Sequence, residues 1–79
     1  MPTVLIVKGY RFFFFSNELR EPPHIHVEKG EKYAKFWLNP LDLTRNFRYN
    51  SKEIREIRKI IEDNYALIME KWNEYFGSR

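Results

Sequence analysis

His24-Ile25-His26-Val27-Glu28-Lys29, then Gly30-Glu31, then Lys32-Tyr33-Ala34-Lys35-Phe36-Trp37-Leu38: this stretch decides the fold. Polar and apolar residues alternate through the first segment, and strand side chains alternate between the two faces of a sheet. Ile25 and Val27 therefore point one way, and His24, His26 and Glu28 the other. Gly30-Glu31 is short enough to make a tight turn, so the second segment returns as an antiparallel neighbour. With Ala34, Phe36 and Leu38 inward, Tyr33, Lys35 and Trp37 join the histidines on the outer face.

Upstream, Thr3 to Lys8 (TVLIVK) is β-branched and apolar, Gly9 punctuates it, and Tyr10 to Phe15 (YRFFFF) reads as a further strand. In it Arg11 alternates against Phe12 and Phe14, which adds a cation to the outer face. Ser16 to Pro23 is turn-rich, and Pro23 biases Pro22 toward an extended conformation leading into the histidine strand. Asn39-Pro40 ends the sheet. Leu41 to Tyr49 is ambiguous between loop and a single helical turn, and no function is placed on Arg45 to Tyr49. Thr44 to Ile57 faintly resembles a helix-turn-helix but lacks a clear first helix.

Asn50 opens the strongest helix signal, with Glu53 three residues on completing a capping-box variant. Ile54, Ile57, Ile61, Tyr65, Ile68, Trp72 and Phe76 then fall at steps of three and four and draw one apolar stripe. Gly77 is placed to cap the end. The expected fold is α+β: a small antiparallel sheet of about four strands (3–8, 10–15, 24–29, 32–38) packed by a long C-terminal helix (51–76), all in one domain over residues 1–79. A helix of that length is roughly 39 Å long, whereas four strands side by side span about 19 Å. It must break, with Asp63-Asn64 the natural point, or overhang the sheet and leave Trp72, Tyr75 and Phe76 in need of a partner.

Composition narrows the function. The 79 residues contain no cysteine, which removes disulfides and thiolate metal sites. Aromatic residues make up 18%, more than so small an interior readily hides. The net charge of +3 mildly favours an anionic partner. The apolar run Val4 to Val7 is too short for a signal segment or a membrane span, so a cytoplasmic location and no membrane partner are expected. No nucleotide-binding glycine loop, nucleophile elbow or clustered acidic metal set occurs, and no cofactor is expected.

Three chemistries fit the outer face. His24 and His26, with Cα atoms about 7 Å apart on one strand, could serve as base and acid for metal-independent phosphodiester cleavage, with Lys35 and Arg11 stabilising charge. Tyr33 and Trp37 could stack bases in a nucleic-acid-binding surface without chemistry. His24, His26 and Glu28 could form a thin metal site. Against these stands a protein interface, in which the histidines are scaffold or partner-facing groups and the aromatic surface dimerises or docks a partner.

The strings Gly9 to Glu18 (GYRFFFFSNE), Glu21 to Glu28 (EPPHIHVE), Ala34 to Leu38 (AKFWL), and the segment from Glu53 through Phe76 are similar to those of a family of small prokaryotic proteins defined as a domain of unknown function. The resemblance covers nearly the whole chain, and Pro-Pro-His-Ile-His-Val is its most specific element. It marks Arg11, Glu21, His24, His26 and Trp37. It implies a component of a toxin–antitoxin-type gene pair, an RNA-directed toxin or its partner-binding equivalent, with a small antitoxin-like protein as cognate partner; the endoribonuclease-like reading rests on His24 and His26 themselves.

Overall fold

The computed structural model describes residues 3–15 and 21–77. Part of the turn expected over Ser16 to Pro23 lies outside the described residues. Five strands, β1 (Thr3–Val7), β2 (Tyr10–Phe13), β3 (His24–Lys29), β4 (Lys32–Leu38) and β5 (Leu41–Phe47), form one antiparallel sheet in the order β1-β2-β3-β4-β5. Two helices follow, α1 (Ser51–Asp63) and α2 (Tyr65–Phe76). The fold is α+β.

The loops explain the meander. Lys8 and Gly9 both have positive φ (55° and 84°), the requirement of a two-residue mirror-image hairpin turn whose twist matches its strands. Gly30 (φ 61°) meets the same demand between β3 and β4. A side chain at Gly9 would also crowd Lys29, whose Cε lies 3.2 Å from where the Cβ would sit. β4 passes to β5 through Asn39-Pro40, whose peptide bond is cis.

The fifth strand corrects the ambiguous reading of Leu41 to Tyr49 and removes the faint helix-turn-helix. Leu41 pairs with Leu38, Asp42 with Trp37 and Leu43 with Phe36, but Arg45, not Thr44, pairs with Lys35. Thr44 is an extra residue at a bulge. It shifts the alternation by one position, which is why a period of two does not run through the segment.

Tyr10, Phe12 and Phe14 from the β2 segment, Ile25 and Val27 from β3, and Ala34, Phe36 and Leu38 from β4 are buried on the inner face against Ile57, Ile60, Ile61, Ile68 and Trp72 of the helices. Of the two outcomes that the length argument allowed, a break or an overhang, the chain takes the break, at Asn64. Asn64 (φ −119°, ψ 20°) leaves the helical region, and its side-chain Nδ2 donates to the Ile60 carbonyl at 2.8 Å. An amide that competes for backbone partners in this way ends one helix and lets the next leave at a new angle. Trp72 is thereby folded onto the sheet rather than overhanging it, and Gly77 caps α2 at φ 77°. No helix among the described residues is long and apolar enough to cross a membrane.

Polar contacts fasten α1 to the hairpins. The capping box is complete: Asn50 Oδ1 accepts from the Glu53 N–H at 2.8 Å, and Glu53 Oε1 accepts from the Asn50 N–H at 3.0 Å. Lys32 Nζ donates to Glu53 at 2.6 Å, and Tyr10 Oη and Lys8 Nζ donate to Glu56 at 2.9 and 3.3 Å. Burial and the bond to Glu56 push the Tyr10 phenol up to about 12. Both carboxyls are held below the usual glutamate value of 4.5, Glu53 first by Lys32 and then by the Asn50 N–H, Glu56 first by Tyr10 and then by Lys8.

A depressed carboxyl contributes stability that is present above its unfolded pKa and is lost as pH falls through the folded value. Stability is therefore expected to fall below about pH 4.5, and the Glu53→Gln/Glu56→Gln variant to lose part of that dependence. Urea midpoints across an acid series check this.

Tyr49 is buried, with its ring 6.0 Å from that of Tyr10, and its hydroxyl has no hydrogen-bond partner among the described residues. Burial, then the neighbouring Tyr10, raises its pKa. An unpaired buried hydroxyl costs roughly 1–3 kcal/mol of desolvation. Tyr49→Phe removes that cost and is expected to stabilise the fold by about 1 kcal/mol, read as a higher urea midpoint at unchanged slope.

Candidate functional site: the outer face of the sheet

Strand pairing sets the outer-face residues in rows across the sheet. Phe13 pairs with His26, His26 with Lys35, and Lys35 with Arg45. The next row runs Ile6, Arg11, Glu28, Tyr33, Phe47. On the other side His24 pairs with Trp37, and Trp37 with Asp42. The expected residues His24, His26, Glu28, Tyr33, Lys35, Trp37 and Arg11 thus share one face. The helices pack on the opposite face, save where Trp72 reaches round the end of the sheet to His24.

The face is not an open row of imidazoles. His24 and His26 are 0% and 2% exposed. Their rings meet edge to face with centroids 5.1 Å apart. His26 is stacked by Phe13 and Tyr33 at 5.4 and 5.8 Å and met by Phe15 at 4.4 Å. His24 is enclosed by Trp37 at 5.6 Å and Trp72 at 5.3 Å. The sequence signal for this enclosure was the phenylalanine run itself, since Phe13 and Phe15 alternate onto the histidine side.

The hydrogen bonds orient both rings. His24 Nδ1 lies 2.8 Å from the Pro22 carbonyl. A carbonyl only accepts, so Nδ1 carries the proton. His24 Nε2 is directed toward Glu21, 3.7 Å from Oε1, and that same oxygen accepts from Lys35 Nζ at 2.7 Å. Lys35 Nζ also sits 4.7 Å above the Trp37 ring. His26 Nδ1 lies 2.6 Å from the Tyr33 hydroxyl.

Arg11 stands apart from the histidines. Its Nη1 donates to Glu28 Oε2 at 2.7 Å, its Nε to Thr3 Oγ1 at 3.0 Å, and its guanidinium covers the Phe13 ring at 4.5 Å. Glu28 is thus engaged by a cation, and no three His, Cys, Asp or Glu side chains among the described residues come together to hold a metal ion.

Sequence reasoning missed Arg45 and Phe47. β5 carries them onto the face next to Lys35 and Tyr33, and with Asn46 they line a groove of about 390 Å³ against Tyr33. Phe47 is 55% exposed, and the Arg48 guanidinium lies 5.2 Å from its ring centroid. Among the described residues Arg45 has no carboxylate within ion-pair distance, whereas Arg48 approaches Glu31 at 3.5 Å. The signal for β5 was the Leu41-x-Leu43 alternation, which the bulge cut short.

Fold and site together define a small α+β protein with a helix-backed core face and an aromatic, cationic outer face. The chain belongs to the family described as a domain of unknown function, DUF4160, whose profile matches residues 9–73. No curated protein and no solved structure matches it.

Proposed function

We propose that the protein binds single-stranded RNA across the outer face of its sheet, as one component of a toxin–antitoxin-type pair with a small cognate protein partner. The observation that carries the reading is the cross-strand pair Tyr33 and Phe47, lying beside Arg45 in a groove on the face opposite the helices. Aromatic side chains on a sheet surface stack unpaired bases without regard to sequence, and neighbouring cations follow the phosphates. Arg45, Arg48 and Lys35 supply those cations, and Trp37 extends the aromatic surface. Direct contact between RNA and either imidazole is disfavoured, because His24 and His26 are both enclosed by protein rings.

Anisotropy titration of a labelled single-stranded RNA tests the reading. Three phosphate contacts on a single strand imply a slope of about −2 in log K against log salt. Absence of salt-sensitive binding at high micromolar protein rejects it.

A protein interface is the rival reading, favoured by the 65% exposure of Ile6 at the β1 end of the Phe47 row. In that case sedimentation shows a homodimer, or the cognate partner occupies the face and RNA does not compete with it.

A further inference from the structure

We infer that Tyr33 is the group through which the enclosed His26 acts on RNA, making the outer face a site of RNA cleavage by transesterification. The inference rests on the RNA-binding reading and goes beyond it. His26 is 2% exposed and packed by Phe13, Phe15 and Tyr33. His26 is not among the described residues that line the groove. Tyr33 joins the ring to the groove: its hydroxyl is 2.6 Å from His26 Nδ1, and Tyr33 lines the groove with Arg45 and Phe47. Arg45 lines the same groove, so a cation stands beside the position of a bound phosphate.

The step balances without a co-reactant beyond water. The 2′-oxygen forms a bond to the neighbouring phosphorus, and the bond from phosphorus to the 5′-oxygen breaks. The 2′-hydroxyl proton passes to Tyr33 Oη as the phenol proton passes to His26 Nδ1. The departing 5′-oxygen takes a proton from water, and the imidazolium neutralises the hydroxide that remains. The products are a 2′,3′-cyclic phosphate and a 5′-hydroxyl. In this scheme Tyr33 is the catalytic residue and His26 acts through it.

The test follows cleavage of a short RNA in excess EDTA under single-turnover conditions, with anisotropy measured on the same RNA. Wild type is expected to bind and to leave cyclic phosphate ends. Tyr33→Phe, compared at RNA concentrations that saturate each protein, is expected to lose about 100-fold in cleavage rate, the scale of one positioned proton-transfer group. 3-Fluorotyrosine at position 33, a more acidic phenol of nearly the same shape, is expected to restore cleavage and shift the pH profile toward acid, which a purely structural hydroxyl would not do. Binding without cleavage by wild type, or full cleavage by Tyr33→Phe, overturns the inference and leaves the binding reading standing. Absence of binding overturns both.

Discussion

Trp72→Ala is expected to lower folding stability by about 3–5 kcal/mol, the usual consequence of emptying a buried aromatic site. Trp72 is 7% exposed and lies at the junction of everything that α2 holds in place. Its ring is 4.1 Å from Phe76, 5.2 Å from Phe14 on the core side and 5.3 Å from His24 at the end of the outer face. Beyond it, α2 is fixed to the sheet by Ile68 and by the Tyr65 hydroxyl, which donates to the Leu38 carbonyl at 2.6 Å. A domain of this size has a total stability of roughly 4–12 kcal/mol, so the loss takes a large share of it. Urea unfolding measures the effect. Trp72→Phe, which refills most of the space, is expected to lose far less. A loss below about 1 kcal/mol for the alanine variant would mean that α2 contributes little to the fold.

Arg45→Ala combined with Phe47→Ala is expected to weaken single-stranded RNA binding by at least 10-fold while leaving stability nearly unchanged. One base stacked on an aromatic ring contributes about 1–3 kcal/mol, and each 1.4 kcal/mol is a factor of about ten in affinity. Losing Arg45 also removes one phosphate contact, so the salt slope becomes shallower by about 0.7. Both side chains are exposed, and surface changes of this kind usually stay within about 0.5 kcal/mol in stability. Lys52→Ala, on the exposed side of α1, is the matched control and is expected to bind as wild type does. Equal loss in the control and the double variant would show that binding follows net charge and not the groove.

These two variants probe opposite ends of what the amino-acid sequence alone makes legible. Trp72 was legible in part: it lies on a stripe at steps of three and four, and the mismatch between helix length and sheet width left either a break that returns it to the sheet or an overhang. The Asn50–Glu53 capping box was fully legible, because its bonds are local. Arg45 and Phe47 were not. Their placement depends on a bulge at Thr44, and a bulge is fixed by pairing with a neighbouring strand, not by the period of the strand that carries it.

The histidine strand was legible in part. Alternation correctly placed His24, His26, Glu28, Tyr33, Lys35 and Trp37 on one face, because the direction of a strand side chain is set by the backbone itself. Alternation is silent on what lies above that face. Phe13 and Phe15 cover His26 because β2 pairs beside β3, and Trp72 covers His24 because the chain turns at Asn64. The sequence by itself determined the α+β class, the inward and outward residues of the central hairpin, and both ends of the helical segment, all through interactions spanning a few residues. Only the tertiary structure decided that the imidazoles are enclosed, that Tyr33 reaches His26, and that β5 completes a groove. Each of those depends on contacts between residues far apart in the chain, whose distances no local period encodes.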